Sequence, residues 1–261
     1  MCSNSDFDLA GLKSLPGLAD VRYFPSLGST NDMALDWAAA GAQDGSLVLA
    51  DEQTSGRGRM GRKWYTAPAA ALAFSLVLRP KGRECDSVGL FSGLGALALV
   101  DALQRLGVDA QIKWPNDVLI HGEKVAGILV EAVWQGEVVE GIILGVGVNV
   151  SPEALPPAAG LNFPATCVQN AVKQPVSRGD LLTILLDALL RRREQLASDG
   201  FRRDWEAALA FRGAPVQVWA GKDQPLFGLV RGLQADGSLV LETETGILET
   251  IHFGEVHLRP A

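Results

Sequence analysis

The amino-acid sequence predicts an α+β fold with two domains. Hydrophobic residues make up 48% of the 261 positions and charged residues 20%, a composition typical of a chain that folds around its own core. Strand-like apolar runs alternate with stretches of helical periodicity up to about residue 211. From Gly213 onward, short apolar segments are separated by turns such as Ala235-Asp236-Gly237, the pattern of a small SH3-like barrel. We therefore expect an N-terminal lead over residues 1–20, a large domain over 21–211 and a small β domain over 212–261.

The first half of the large domain alternates strands with helices. "VRYFPSLGST" predicts a strand and a turn, after which Ser29, Thr30 or Asn31 can cap a helix that ends at Gly41. "GSLVLADE" and "ALAFSLVLRP" predict two further strands. Residues 88–107 carry apolar side chains near helical spacing and predict a second helix with one apolar face.

The second half begins with "AQIKWP", a short strand that ends at Pro115. "KVAGILVEAVW" and "EVVEGIILGVGVNV" predict a hairpin joined by Gln135-Gly136. Residues 151–177 are rich in proline and alanine, and we expect a long surface connection there. Residues 179–199 predict an amphipathic helix, whose arginines at 191–193 are expected on a solvated face.

Charge and cysteine content exclude several functional classes. The formal net charge is −7 and the pI about 5.0, which does not suit a protein that coats nucleic acid. The three cysteines, Cys2, Cys85 and Cys167, are scattered, so disulfides and a zinc site are not expected and a reducing cytoplasm fits best. The N-terminus has no signal-peptide pattern, and no apolar run is long enough to span a membrane.

Residues 55–64, "SGRGRMGRKW", are here called the Gly-Arg loop. Gly56, Gly58 and Gly61 match G-x-G-x-x-G, a dinucleotide-binding fingerprint that requires a helix directly after the loop. Here the chain passes Pro68 into a strand-like run instead, and no Gly-Lys-Ser/Thr closes a P-loop. Four cations this close repel one another. The pattern therefore predicts a flexible loop between two strands that closes over an anionic ligand.

Two further segments carry polar groups that suit nucleotide chemistry. Pro115 in "KWPNDVLI" fixes a turn with Asn116 and Asp117 at its tip, and Lys124 opens the next apolar strand. Taken alone, the first segment could be an ordinary turn and Lys124 a surface lysine. Together with the Gly-Arg loop, they supply the cations, amide and carboxylate needed to hold ATP, Mg²⁺ and a ligand carboxylate.

Five segments together resemble the motifs of biotin protein ligases, in that family's order and at similar spacing. These are "GSTND" (28–32), "EQTSGRGRMGRKW" (52–64), "KWPND" (113–117), "KVAGILVE" (124–131) and "GVGVNV" (145–150). The resemblance implies a catalytic domain with a mixed sheet, related to class II aminoacyl-tRNA synthetases, and a C-terminal SH3-like barrel. It implies that biotin and MgATP give biotinyl-5′-AMP and pyrophosphate, and that a lysine of a biotin carboxyl carrier protein domain, such as that of acetyl-CoA carboxylase, then takes the biotinyl group.

The resemblance also implies a set of site residues. Those expected to line the biotin pocket are Ser29, Thr30, Asn31 and Gln53. Those expected to close over the biotin carboxylate and the adenylate phosphate are Gly56, Arg57, Gly58 and Arg59, with Lys124 on the activated carboxyl oxygen. Those expected on the nucleotide side are Arg57, Arg59, Arg62, Trp64, Lys113, Asn116, Asp117, Gly145, Gly147 and Asn149.

Within that set, four residues are expected to act in catalysis: Arg57, Arg59, Lys124 and Asp117. Asp117 is the candidate to orient or deprotonate the acceptor lysine. Trp64 is expected to wall the adenine, and the glycines at 145 and 147 to let backbone approach the ligand. Mg²⁺ is expected to be held mainly by the ATP phosphates.

Some members of the family carry an N-terminal DNA-binding domain of about sixty residues. Only about twenty residues precede the core here, so the expectation is a ligase of the monofunctional type, a monomer or weak homodimer without nucleic-acid or membrane binding. Three alternatives remain open: a lipoate or octanoate ligase with the same adenylate chemistry, a nucleotide-binding oxidoreductase, and a non-catalytic biotin sensor.

Overall fold

The computed structural model describes residues 6–156, 163–220, 225–252 and 256–260. The positions outside these ranges belong to the predicted lead (1–5), the predicted connection (157–162) and the predicted β domain (221–224, 253–255 and 261). A seven-stranded sheet runs in the order β1-β2-β3-β7-β6-β5-β4, and a five-stranded sheet runs in the order β11-β10-β9-β8-β12. In the larger sheet β1 and β2 are parallel and the other neighbours antiparallel, so the predicted mixed sheet is confirmed.

The elements follow the predicted order along the chain. The strands of the larger sheet are β1 Asp20–Phe24, β2 Ser46–Ala50, β3 Ala71–Leu78, β4 Gln111–Lys113, β5 Asp117–Ile120, β6 Glu123–Gln135 and β7 Val138–Asn149. The helices are α1 Leu9–Lys13, α2 Thr30–Ala39, α3 Leu90–Arg105, α4 Val168–Val172, α5 Arg178–Arg193 and α6 Asp199–Ala207. The C-terminal strands are β8 Pro215–Ala220, β9 Leu226–Leu233, β10 Leu239–Thr243, β11 Leu248–Ile251 and β12 Val256–Pro260.

Helices cover both faces of the large sheet, which explains why β2 and β3 are apolar along their whole length. Val48 and Val77 pack on the face that α2 covers, whereas Leu47 and Leu49 join the core formed with α3 and α5. Side chains alternate between the faces of a strand, so the register decides which residues share the α2 face. That face also carries the cleft described below.

The N-terminal segment packs against the core. Phe7 and Leu12 are buried at 5% and 3% exposure. The guanidinium of Arg178, at the start of α5, donates to Asp6 Oδ2 at 2.9 and 3.0 Å. These contacts tie the segment before β1 to the face of the large sheet that α3 and α5 cover.

The segment between β7 and α5 differs from the predicted surface connection. It contains α4, and Cys167 and Val168 are fully buried. The α5 helix ends at Arg193, before the predicted residue 199. The Ser198 side chain then accepts a hydrogen bond from Phe201 N at 3.1 Å and caps α6, a separate helix that the periodicity of 179–199 did not reveal.

The predicted solvated face at 191–193 is wrong for two of its three arginines. Arg192 donates to Asp101 of α3 at 2.7 and 2.9 Å, and its side chain is 19% exposed. Arg193 pairs with Asp44 and Glu84 and is 13% exposed. These carboxylates lie far away in sequence, so helical periodicity alone could not identify them.

The C-terminal strands, where a small SH3-like barrel is predicted, form an antiparallel sheet that contacts the larger domain. The indole of Trp205 in α6 packs closely on two glycines. A Cβ on Gly93 of α3 would lie 2.4 Å from Trp205 Cε3, and a Cβ on Gly237 of the β9–β10 turn would lie 2.8 Å from Trp205 Cζ3. Trp114 Nε1 donates to Gly237 O at 2.9 Å. The turn that the sequence predicts at 235–237 therefore sits against α3, α6 and the strand leading to Pro115. No helix within the described residues is long and apolar enough to cross a membrane.

Candidate active site

A cleft opens on the α2 face of the large sheet, and strand register explains its floor. Ser75 on β3 pairs with Gly145 on β7, and Gly145 pairs with Leu129 on β6. Two residues further along, Gly147 pairs with Gly127. At Gly127, Gly145 and Gly147 the floor carries no side chain, so residues from above the sheet can approach the backbone closely there.

Asn31, in the first turn of α2, occupies the space above Gly145. A Cβ on Gly145 would lie 2.0 Å from Asn31 Oδ1. That oxygen accepts from Ser75 Oγ at 2.6 Å, and Asn31 Nδ2 donates to Glu131 Oε2 at 2.7 Å. The amide is therefore fixed by side chains of β3 and β6, and its hydrogen bonds meet the need of a buried polar group for partners.

Trp64 lies on the paired glycines further along the floor. A Cβ on Gly147 would lie 2.4 Å from Trp64 Cε2, and one on Gly127 would lie 3.3 Å from Cζ3. The sequence predicted that glycines at 145 and 147 admit a ligand. In the structure they admit the side chains of Asn31 and Trp64. Trp64 Nε1 is a buried donor that has no hydrogen-bond partner among the described residues.

The Gly-Arg loop forms a narrow turn beside the cleft. Trp64 N donates to Gly56 O at 2.8 Å and Gly58 N to Arg62 O at 2.7 Å, which closes the base of the turn. Met60 and Gly61 have φ values of 58° and 69° at its apex. A Cβ on Gly56 would lie 2.5 Å from Trp64 O, so glycine is needed at that position. The strand β3 follows the loop rather than a helix, so the dinucleotide-binding geometry is absent from this part of the described chain.

Arg57 is bound by two carboxylates. Its Nη1 and Nη2 donate to Glu131 Oε1 and Oε2 at 3.0 and 2.7 Å, and Nη2 lies 2.6 Å from Asp32 Oδ1. The hydrogen bonds that Arg57 donates to Glu131 are the main reason that the pKa of Arg57 is raised. The fork matches the carboxylate of Glu131 in a bidentate pair, the strongest form of this contact.

Arg59 lies deeper than Arg57 and reaches the turn between β4 and β5. Its Nη1 donates to Asn116 Oδ1 at 3.4 Å. Burial lowers the pKa of Arg59, an effect that the nearby Asp117 opposes. Asn116 is held in turn by β6, since its Nδ2 donates to Ile128 O at 2.8 Å.

Two lysines share the carboxylate of Asp117. Lys124 Nζ lies 2.5 Å from Asp117 Oδ1, and Lys113 Nζ lies 3.3 Å from Oδ2. Burial disfavours the ionised carboxylate, but the two lysines outweigh burial and hold the pKa of Asp117 below its usual range. Lys124 Nζ also lies 5.5 Å from the centroid of the Trp64 ring, a cation–π contact.

The side chains at the start of α2 form a polar wall on the other side of the floor. Gln53 Oε1 accepts from Thr30 N at 2.8 Å and from Thr30 Oγ1 at 3.1 Å. Gln53 Nε2 donates to Thr66 Oγ1 at 3.3 Å. Ser29 is buried at 4% exposure, and within the described chain its hydroxyl makes no capping bond to α2.

The cleft brings together most of the residues that the sequence assigned to the site. Those that line it are Ser29, Thr30, Asn31, Gln53, Arg57, Gly58, Arg59, Arg62, Trp64, Lys113, Asn116, Asp117, Lys124, Gly145 and Gly147. Gly56 and Asn149 are not part of the lining. The amide of Asn149 donates instead to Thr166 O at 3.1 Å, next to α4.

Several residues near the cleft were not predicted. Met60, Lys63, Trp114 and Gly127 line it, and Glu131 binds both Arg57 and Asn31. Glu131 ends the "KVAGILVE" segment, so the motif contained it, but its partners depend on strand register. The contact of Asp32 with Arg57 likewise spans separate elements.

Comparison with known proteins identifies two family models in the chain. Residues 23–149 match the biotin/lipoate A/B protein ligase family, and residues 213–259 match the biotin protein ligase C-terminal domain. A biotin–[acetyl-CoA-carboxylase] ligase of Paracoccus denitrificans is 39% identical over 226 residues, covering 84% of this chain and 92% of the relative. The bifunctional ligase/repressor BirA of Bacillus subtilis is 31% identical over 252 residues, covering 95% of this chain and 77% of the relative.

Solved structures give the same result. The biotin protein ligase from Aquifex aeolicus in complex with biotin and ATP matches with a TM-score of 0.78 at 26% identity, over 92% of this chain and 99% of that one. This likeness confirms the predicted fold class, a catalytic domain of the type related to class II aminoacyl-tRNA synthetases with a C-terminal β domain. The chain belongs to the biotin protein ligase family.

Proposed function

We propose that the described cleft is where this chain joins biotin to ATP and then passes the biotinyl group to a lysine of a biotin carboxyl carrier protein domain. As a member of its family the chain is an ATP-dependent ligase, with biotin and ATP as substrates and biotinyl-5′-AMP as intermediate. The assignment of this chemistry to individual residues is our proposal.

The charge of the cleft is the observation that carries the proposal. Within a chain of net charge −7, the described lining contains six cationic side chains and a single carboxylate, that of Asp117. The six cations are Arg57, Arg59, Arg62, Lys63, Lys113 and Lys124. Such a concentration of fixed positive charge suits a ligand with several phosphates and a carboxylate.

In the first step, an oxygen of the biotin carboxylate attacks the α-phosphorus of ATP, the bond to the bridging oxygen breaks, and pyrophosphate leaves. Negative charge collects around the α-phosphorus as this happens. We assign Arg59 and Lys124 to that charge, since they approach the cleft from the Gly-Arg loop and from β6. Removing one preorganised donor of this kind typically lowers the rate about a hundredfold or more.

In the second step, a neutral lysine amine of the acceptor attacks the acyl carbon, the acyl–phosphate bond breaks, AMP leaves and the amine loses a proton to solvent. Asp117 is a poor proton acceptor here because its pKa is held below the usual range. We therefore assign it to orienting the incoming amine, and to holding Lys113 and Lys124 in place, rather than to deprotonation.

We assign the biotin end of the ligand to the polar wall at the start of α2. The buried Ser29 hydroxyl, the Thr30–Gln53 pair and the fixed amide of Asn31 offer donors and acceptors on this side of the cleft. Trp64 Nε1, for which the described residues supply no acceptor, is a further donor on the floor. A small number of fixed polar groups in a concave site is the usual basis of small-molecule specificity.

Mg²⁺ enters as part of the substrate MgATP. Among the described residues, no cluster of three or more His, Cys, Asp and Glu side chains could hold a metal ion. The one carboxylate of the described lining is already paired with two lysines. The donor set therefore suits a metal carried by the phosphates rather than one held by the protein.

We propose that the acceptor is the biotin carboxyl carrier domain of acetyl-CoA carboxylase or a similar carboxylase, because the relatives carry that name. We propose a cytoplasmic monomer or weak homodimer without nucleic-acid binding. The net charge of −7 supports the last point, and a gel shift with a defined operator at physiological salt would contradict it.

A two-stage assay tests the function. The protein is mixed with MgATP and biotin, and pyrophosphate is measured; an acceptor domain is then added, and the labelled lysine is identified by mass spectrometry. Lipoate in place of biotin forms the parallel arm. Pyrophosphate with biotin alone, followed by lysine labelling, is expected. Equal turnover of lipoate would favour a lipoate ligase, and biotin binding without pyrophosphate would favour a sensor.

The variant Arg59→Ala tests the phosphate contact within the same assay. Because Arg59 is assigned to the adenylate phosphate, its loss should speed the release of biotinyl-AMP at least tenfold and uncouple pyrophosphate formation from acceptor labelling. The measurement is free biotinyl-AMP in the filtrate after a single turnover. Retention as tight as in the wild type would rule out the assignment.

A further inference from the structure

Arg57 belongs to the Gly-Arg loop, but its guanidinium binds carboxylates from two other elements. Glu131 on β6 binds it in a bidentate pair at 2.7 and 3.0 Å, and Asp32 in the first turn of α2 lies 2.6 Å away. Three separate parts of the fold thus meet at one side chain.

The charge around Arg57 argues against a phosphate contact at this position. One cation faces two carboxylates, so an approaching phosphate would be repelled by Glu131 and Asp32 unless both pairs broke first. The Arg57 side chain is 38% exposed and that of Glu131 26%, so the pair lies at the rim of the cleft. Arg59, by contrast, reaches inward to Asn116.

The position of Glu131 links the loop to the biotin wall. Its Oε2 accepts from Asn31 Nδ2 at 2.7 Å as well as from Arg57. Asn31 is in turn fixed by Ser75 on β3. Glu131 orients Asn31 and is itself bound by Arg57. A movement of the loop that pulls Arg57 away therefore removes one of the partners that hold Glu131 in place.

We propose that Glu131, assisted by Asp32, is a positioning residue that latches the Gly-Arg loop over the cleft through Arg57. The Arg57 side chain then holds the loop in place, and the phosphate contacts fall to the other cations. This differs from the phosphate role that the sequence predicts for Arg57. The proposal rests on the proposed function, because the loop is taken to cover the adenylate.

Glu131→Gln is the most informative change. Glutamine keeps the size and can still accept from Asn31, but it loses the charge and the bidentate match to Arg57. The ligand-free loop should then open more often, and a protease of broad specificity should cut within residues 57–63 about tenfold faster, as mapped by mass spectrometry. Glu140→Gln is the matched control, since Glu140 is an exposed carboxylate on the same hairpin.

The activity readout separates a latch from a phosphate ligand. With a latch, Arg57→Ala and Glu131→Gln have the same effect: faster release of biotinyl-AMP, with the KM for ATP little changed, and a double variant no worse than the worse single one. With a phosphate ligand the two variants diverge, because Glu131→Gln frees Arg57 to bind ATP more tightly while Arg57→Ala weakens ATP binding.

Each result has one meaning. Faster loop cleavage in Glu131→Gln but not in Glu140→Gln, with non-additive release rates, supports the latch. Unchanged cleavage, or opposite shifts of the KM for ATP, overturns it. Cleavage is measured without substrate and does not depend on the reaction, so a protein that releases no pyrophosphate with biotin would refute the proposed function and leave the latch to be judged by proteolysis alone.

Discussion

Replacing Gly145 by alanine tests the explanation of the cleft floor. The new Cβ would lie 2.0 Å from Asn31 Oδ1 and 2.9 Å from its Cγ, well inside ordinary contact. Asn31 Oδ1 must therefore move by about 1 Å or more. It cannot do so freely, because Ser75 and Glu131 hold the amide at 2.6 and 2.7 Å.

The cost follows from the bonds that must break. The bond to Ser75 joins neutral groups and contributes about 1 kcal/mol, and the bond to the Glu131 carboxylate about 2 kcal/mol. Loss of glycine's freedom in the unfolded chain stabilises by about 0.5 kcal/mol. We expect Gly145→Ala to lower the free energy of unfolding by about 2.5 kcal/mol, which corresponds to a fall in Tm of roughly 5–10 °C for a chain of this size.

Chemical denaturation measures the loss, and calorimetric titration with biotin measures the effect on the pocket. Gly28→Ala is the control, because Gly28 lies in the "GSTND" motif but a Cβ there meets nothing within 4 Å. We expect it to change stability by less than about 0.5 kcal/mol. Biotin affinity should fall at least tenfold in Gly145→Ala, since Asn31 is displaced.

A double-mutant cycle identifies the cause. If the clash with the Asn31 amide is responsible, Gly145→Ala should cost much less in an Asn31→Ala background than in the wild type. The reasoning fails if Gly145→Ala unfolds with the stability of the wild type, or if its cost is the same in both backgrounds. The first result would mean that the floor moves to accept the methyl group, and the second that the cost does not come from the Asn31 amide.

Two further variants test the nucleotide side. Trp114→Phe leaves the carbonyl of Gly237 without the indole donor that lies 2.9 Å away. We expect the free energy of unfolding to fall by about 1–2 kcal/mol, and the KM for ATP to rise severalfold at unchanged biotin affinity. An equal loss of biotin affinity would contradict this. The lowered pKa of Asp117 contributes stability that is present above about pH 3.8 and is lost as the pH falls toward the folded value. In Asp117→Asn the stability should therefore fall less steeply as the pH drops below about 3.8. Denaturation at each pH measures this slope, and an unchanged slope would show that the two lysines do not control this carboxylate.

Local pattern predicts most of the elements, because each is specified by residues close in sequence. The β6–β7 hairpin follows from two apolar runs around Gly136, which has a φ of 62°. The helix at 88–107 follows from periodicity and is observed as α3, Leu90–Arg105. The end of α5 was misplaced, because the Ser198 cap is a short-range signal that helical periodicity does not register.

The roles of the glycines in the "GVGVNV" segment could not be predicted, because they depend on register. The sequence shows that small residues recur, but only the pairing of β3, β6 and β7 reveals what lies above them. Gly145 makes room for Asn31 and Gly147 for Trp64. Both partners come from segments more than eighty residues earlier in the chain. The pairing of Glu131 with Arg57, 74 residues apart, was hidden for the same reason.

The cleft also shows how an acidic chain can hold many cations in one place. Asp117 stands between Lys113 and Lys124, and Glu131 with Asp32 stands against Arg57, so the carboxylates neutralise the cations that the fold brings closest together. The same pairs compete with the ligand. A phosphate or carboxylate that binds one of these cations must first displace the carboxylate already paired with it, so only the difference between the two interaction energies favours binding. We therefore expect the negative charge of the ligand to lie near Arg59, which enters the cleft from the Gly-Arg loop and reaches Asn116.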